Sequence, residues 1–214
     1  LLFRVDASTR MGTGHLMRSL ALAQAWQAWK GEAIFCTATE IGKLKSRLEA
    51  EEIAITYLSV VPGSAEDAEA TGDLAKEWGV SWVVVDGYHF DARYQQILKQ
   101  AGVNLLLVDD FGHAEHYYAD LVLNQNVGAN ENLYSQREPY TRLLLGTDYT
   151  LLRKEFWSWQ GWQRQIPEVA GKILVTLGGS DPDNVTLKVM KALQDLEVQA
   201  LEAVVVVGGS NPHY

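Results

Sequence analysis

The stretch FRVDASTRMGTGHLMRSLALA, Phe3 to Ala23, decides how the chain is read. It starts as an apolar run ending in an aspartate, crosses a short polar segment with two glycines, and continues in a helical pattern. Leu16, Leu20 and Ala23 share one face of that pattern and are expected to pack on a sheet. Strand, glycine turn and helix together make the first half of a βαβ unit, and the rest of the chain repeats the theme. LLFRVDA, AIFCTA, ITYLSV, WVVVDG, LLLVDD, DLVLNQ, RLLLG, KILVTLG and AVVVVGG are short runs, mostly apolar on both faces, as buried parallel strands are. Between them Gly14 to Trp29, Lys43 to Glu52, Ala65 to Trp78, Asp91 to Ala101 and Asn184 to Leu196 read as helices. The alternation predicts an α/β fold, a parallel sheet covered on both sides.

With 214 residues, 47% of them hydrophobic, and five prolines, the chain can bury a substantial core. A net charge of −9 and the lack of clustered Lys and Arg argue against a general nucleic-acid binder. Lys43 to Arg47, the longest basic grouping, reads as a solvated helix face. The single cysteine, Cys36, sits in an apolar run, can form no internal disulfide and is expected to be a core thiol. No run approaches the roughly 18 apolar residues of a membrane span, and no signal peptide is evident, so a cytoplasmic protein is expected. The sequon Asn184-Val185-Thr186 carries little weight there. The chain begins LLFRVDAS without a methionine and stops at GGSNPHY after a strand-like run, and a fragment or processed product is expected.

FWSWQGWQRQIPE, Phe156 to Glu168, breaks the rhythm with three tryptophans, a glycine and a proline. It reads as a domain crossover, its tryptophans as packing anchors. Residues 1–167 are then one Rossmann-like α/β domain, and residues 171–214 the opening βαβ of a second, the rest of which is expected beyond Tyr214.

In parallel sheets ligands gather at the carboxyl ends of strands. The residues there are Asp6, Ala7 and Ser8; Asp86 and Tyr88; Asp109 and Asp110; Asn124 to Asn126; and Gly178 to Asp181. MGTGHLMR is not a dinucleotide loop, because G-x-G-x-x-G needs a third glycine where Met17 stands, although Glu40 could imitate a ribose-binding acid. The weight falls on His15, in the first turn of the helix. A helix amino terminus disfavours added positive charge, and a neutral imidazole there suits a general base. Asp6, on the adjacent strand end, is the expected orienting carboxylate, and Arg18 faces either a ligand phosphate or solvent. In VTLGGSDPDN, Val175 to Asn184, two glycines, Ser180 and a helix start suit a diphosphate. No P-loop lysine is present, and Asp183 is the expected helix cap. HAEH, His113 to His116, lacks the spacing of a metal motif, and no metal is expected.

FRVDASTRMGTGHLMRSLALA, VVVDGYHFD, LLVDDF, ADLVLNQN, LLLGTDYTLLRKEF and ILVTLGGSDPDN together resemble the UDP-sugar hydrolases of pseudaminic acid biosynthesis, which are similar to glycosyltransferase-like spore-coat polysaccharide proteins. The resemblance covers essentially the whole chain. It implies a GT-B architecture of two Rossmann-like lobes with the nucleotide sugar between them. It also implies hydrolysis of a UDP-activated diacetamido-trideoxy sugar to UDP and free sugar, by water at the anomeric carbon, without metal or other cofactor. His15 would be the general base, with Asp6, Gly14 and Arg18 around it, Tyr88 on the sugar side, and Gly178, Gly179 and Ser180 as the diphosphate loop. The chain departs from the family pattern at Gly87, which precedes Tyr88 where members have histidine. The uridine pocket is expected from the later part of the second lobe. Two alternatives stand beside hydrolysis: a glycosyltransferase using the same donor, and a non-catalytic nucleotide-sugar-binding lobe.

Overall fold

β1 (Leu2–Val5) is an interior strand of a seven-stranded parallel sheet, and its burial on both faces explains its near-continuous apolar sequence. The structure is a computed structural model that describes residues 1–7, 13–42, 44–196, 198, 201–209 and 211–213. Ser8 of the strand-end set, the stretch from Thr9 to Gly12 and Lys43 lie outside the described residues. β2 (Ile34–Thr37) and β3 (Ala54–Tyr57) extend the sheet on one side of β1. On the other side follow β4 (Trp82–Asp86), β5 (Asn104–Val108), β6 (Leu121–Asn124) and β7 (Arg142–Leu145), giving the order β3-β2-β1-β4-β5-β6-β7.

The helices lie on both faces of the sheet. α1 (Gly14–Ala28) and α2 (Leu44–Glu49) cover one side, where Leu16, Leu20, Ala23 and Leu48 meet Phe3, Val5, Val84 and Val108. α3 (Ala65–Glu77) and α4 (Ala92–Gln100) cover the other, where Ala68, Ala75, Tyr94 and Leu98 meet Leu2, Val83, Val85 and Leu105. Ser64 and Asp91 start α3 and α4 by accepting the Asp67 and Tyr94 N–H. Cys36 is buried, and burial pushes its thiol up to about 12, which suits a core residue rather than a nucleophile.

The chain divides into two compact units, β1 with Gly14–Ser158 forming the first and Trp159–Tyr214 the main part of the second. The second contains β8 (Lys172–Thr176) and β9 (Glu202–Val206), paired in parallel, and α5 (Val185–Gln194). Two strands and one helix enclose little core: among its described residues only Val175, Asp181 and Thr186 are buried. Trp159 and Trp162 pack edge to face, 5.5 Å between ring centroids, and both remain more than half exposed. Among the described residues no helix is long and apolar enough to cross a membrane.

Candidate active site

The strand order turns between β1 and β4, and an open parallel sheet offers its ligand crevice at the carboxyl ends of such a pair. Val5 is in register with Asp86, so Asp6 and Asp86 finish two neighbouring strands at nearly the same level. Both side chains are fully buried, and each receives a histidine from the other strand's connection.

His15, in the first turn of α1, has Nδ1 2.7 Å from Asp86 Oδ1. A carboxylate at that distance calls for hydrogen on Nδ1, so the ring donates to Asp86, and the neutral tautomer so selected has its lone pair on Nε2. Arg18 Nη2 lies 3.1 Å from the same Nδ1, but a guanidinium accepts nothing, so this is a contact between two donors that share Asp86. Asp6, the expected orienting group, does not serve His15. Its Oδ1 accepts from Thr37 Oγ1 and the Ala38 N–H, while Oδ2 faces His89 Nε2 at 3.0 Å and Arg4 Nη1 at 2.9 Å. The reason is placement: α1 packs on β4 as well as β1, and its first turn comes down on the β4 end. His89 was not singled out in the sequence, and its position three residues after Asp86 is the signal that would have found it.

Arg18, one turn after His15, is committed to carboxylates. Its Nε and Nη2 donate to Asp86 at 2.7 Å each, and its Nη1 lies 2.7 and 2.8 Å from the two oxygens of Asp110. Burial works against the guanidinium charge, and the two carboxylates outweigh it and raise its affinity for the proton. Arg18 therefore braces the strand ends of β4 and β5, its donors spent on protein rather than held out toward a phosphate. Ser19 adds a hydroxyl to Asp86 at 3.2 Å.

Asp110 is also the partner of Tyr88, whose hydroxyl donates to it at 2.5 Å, and of Asn126 Nδ2 at 2.9 Å. Burial would raise its carboxyl, but the Tyr88 and Arg18 hydrogen bonds hold it below the usual carboxylate range. Burial and the same carboxylate push the Tyr88 hydroxyl up to about 12, so it stays a donor. The Tyr88 ring stands edge-on to His15, centroids 4.8 Å apart. Asp109 performs turn chemistry instead, accepting the N–H of Asp110, Phe111 and Gly112 and the Tyr117 hydroxyl. Of the HAEH histidines, His113 turns to Asp109 and the Phe90 carbonyl, and His116 to Glu138.

Two glycines shape this region in opposite ways. Among the described residues, nothing lies within 4 Å of where a Cβ on Gly14 would stand. One on Gly87 would lie 2.8 Å from His89 Cε1 and 2.9 Å from Phe90 Cε2, so the turn that carries Tyr88 and His89 closes only without a side chain there.

In the second unit, Gly178 takes φ +79, a left-handed turn between β8 and α5 that favours glycine, with Gly179 and Ser180 exposed beyond it. Asn184 holds the N-cap position, and the side chain that serves the first turn is that of Asp181, not Asp183: its oxygens accept the Val185 and Thr186 N–H at 2.8 and 2.9 Å. The Thr186 hydroxyl first, and then the Thr186 and Val185 N–H groups, hold Asp181 below its ordinary range. Asn184 takes an αL conformation, and its own side chain makes no capping hydrogen bond. An anion at this turn would therefore use the amides and hydroxyl of Gly178 to Ser180.

No family model matches the chain. It is 27% identical over 193 residues to an uncharacterised protein of Methanocaldococcus jannaschii, covering 88% of this chain and 38% of that protein. It is 25% identical over 215 aligned positions to the UDP-2,4-diacetamido-2,4,6-trideoxy-beta-L-altropyranose hydrolase of Campylobacter jejuni, covering 100% of this chain and 71% of the relative. Among solved structures it resembles MurG of Acinetobacter baumannii (TM-score 0.54, 16% identity, 96% of this chain and 65% of that one). It also resembles a glycosyltransferase of Rickettsia africae (TM-score 0.58, 14% identity, 98% and 68%). The fold is thus a Rossmann-like α/β fold of the GT-B kind. The chain spans well under half of the first relative's length and about two thirds of each structural neighbour's.

Proposed function

We propose that the chain acts in UDP-sugar hydrolysis, with His15 removing a proton from water attacking the anomeric carbon. The observation that carries this reading is the 2.7 Å pairing of His15 Nδ1 with Asp86. In the neutral ring this pairing puts the hydrogen on Nδ1 and the lone pair on Nε2, the atom proposed to take the water proton. The similarity to the Campylobacter hydrolase supports the substrate class, a UDP-activated diacetamido-trideoxy sugar.

In the reaction the water oxygen bonds to the anomeric carbon while the bond from that carbon to the β-phosphate oxygen breaks. The electron pair leaves with UDP, and the water proton goes to His15 Nε2. A diphosphate is a good leaving group, so the acid of an ordinary glycosidase pair is not required. Asp86 holds the ring in the accepting tautomer and stabilises the imidazolium that forms, a carboxylate's role toward a catalytic histidine. Gly178, Gly179 and Ser180 are proposed to receive the diphosphate through backbone amides and a hydroxyl. Asp6 and Arg18 support the site by holding His89 and Asp110.

The test is release of UDP from the UDP-sugar by the purified protein without any acceptor. His15→Ala is expected to lower kcat by about 10²- to 10⁴-fold with the fold retained. Near-normal hydrolysis by that variant would remove His15 from the mechanism. Ser180→Ala is expected to raise KM with kcat little changed, and an unchanged KM would count against the diphosphate role. The GT-B fold favours one other reading, transfer to a sugar hydroxyl, for which the same base would serve. UDP release strictly dependent on an acceptor would establish transfer, and binding without turnover a non-catalytic lobe.

A further inference from the structure

We infer that Phe111, together with Tyr88, forms an aromatic wall that takes the apolar C–H face of the sugar ring beside His15, making Phe111 a specificity-determining residue. The inference rests on the UDP-sugar reading above. Tyr88 and Phe111 lie side by side, ring centroids 4.9 Å apart and planes at 53°, so they make a corner rather than a flat plate. They are 46% and 55% exposed, while Phe90 and Tyr94, on the same segment as Tyr88, are fully buried. A pair of large rings left half open next to a histidine at a strand-end crevice has the composition of a ligand wall.

The wall is built rigidly. Tyr88 is fixed at its tip by the hydrogen bond to Asp110 and along its edge by His15. The Phe111 backbone is fixed by its N–H donated to Asp109 Oδ1 at 3.0 Å. His113 stands edge-on to both rings, at 5.9 and 6.1 Å. Tyr88 therefore has little side-chain freedom left to lose on binding. The charges behind the wall are paired, Arg18 with Asp86 and Asp110, so the face it presents is apolar.

A uracil ring could also stack on such a face. The 4.8 Å separation of Tyr88 from His15 decides for the sugar: the group that takes the water proton stands at the anomeric carbon, and the ring bearing that carbon is the one within reach of the wall. Deoxy and acetamido substituents would add methyl groups to this contact.

The experiment compares wild type with Phe111→Ala in three measurements. KM for the UDP-sugar is expected to rise about tenfold, the scale of one lost aromatic contact, with kcat within about threefold. Inhibition by UDP alone is expected to stay unchanged, and Phe111→Trp to restore most of the KM. An unchanged KM overturns the inference, and so does a fall in kcat at constant KM, which would make Phe111 a support for His15. Equal weakening of UDP inhibition also overturns it, by assigning the wall to the base. Saturation-transfer NMR with UDP-N-acetylglucosamine reads the same contact without turnover. Sugar-ring protons are expected to saturate in wild type and lose that saturation in Phe111→Ala, while uracil protons keep theirs. Absence of sugar-ring saturation in wild type overturns the inference even if hydrolysis is observed, and its presence supports the wall even if hydrolysis is not.

Discussion

At the scale of single residues the site depends on Asp86. One buried carboxylate accepts from His15, from Arg18 twice and from Ser19, so it sets an imidazole tautomer and anchors the brace to Asp110 at the same time. Asp86→Asn keeps the shape and removes the charge. Its amide can turn an N–H toward His15 Nδ1, which moves the imidazole hydrogen to Nε2 and leaves no acceptor for the water proton. We expect kcat to fall by about 10²- to 10⁴-fold with KM nearly unchanged. The double variant with His15→Asn should be no worse than the poorer single one, because the two residues act as a unit. Additive losses, or an Asp86→Asn enzyme within threefold of wild type, would show that Asp86 does not act through His15. Asp86→Ala is a different experiment. It leaves Arg18 without its main partner at a mostly buried position, and should cost about 3–5 kcal/mol in urea denaturation.

At the scale of elements, strands and helices were legible because each is announced locally. Apolar runs buried on both faces, Ser64 and Asp91 at helix starts and Leu16, Leu20 and Ala23 on one stripe require nothing beyond neighbours in the chain. The partners in the site were not legible. His15 and Asp86 are 71 positions apart, and only the order β1-β4 brings them together, so the nearer Asp6 was the natural but mistaken choice. The α5 cap failed for a related reason, since Asp181 rather than Asp183 serves the first turn and no side-chain pattern specifies that choice. Arg4 was a missed signal of another kind, a cation inside an otherwise apolar strand. It is buried, with Nε and Nη2 donating to Asp67 at 2.8 and 2.7 Å, and so ties β1 to the first turn of α3. Removing one partner of such a pair strands the other. Asp67→Ala should therefore lower stability by about 3–5 kcal/mol while leaving UDP-sugar turnover per folded molecule within a few-fold of wild type. A loss under about 1 kcal/mol would mean that the remaining pair with Asp6, 2.9 Å from Nη1, suffices for Arg4.

At the scale of the whole molecule these buried carboxylates make stability a function of pH. Burial opposes charge on Asp6 and Asp109, but their partners outweigh it: His89, Arg4 and the Ala38 N–H for the first, His113, Tyr117 and the Phe111 N–H for the second. Both are held well below the usual carboxylate range. A group whose native affinity for the proton is lowered binds fewer protons folded than unfolded, so its contribution is fully present above the unfolded value near about 4. That contribution is lost as pH falls below it. Each such group steepens the fall by up to about 1.4 kcal/mol per pH unit. Urea titrations at steps from about pH 5 down to about 2.5 should show stability dropping steeply below 4. Asp109→Asn should be less stable than wild type at neutral pH, because the amide serves Tyr117 and His113 less well. Its curve should also be shallower below pH 4, by about one proton's worth of slope, so that the two proteins converge in acid. Parallel curves would show that Asp109 titrates alike in both states and that the turn it gathers does not depend on its charge.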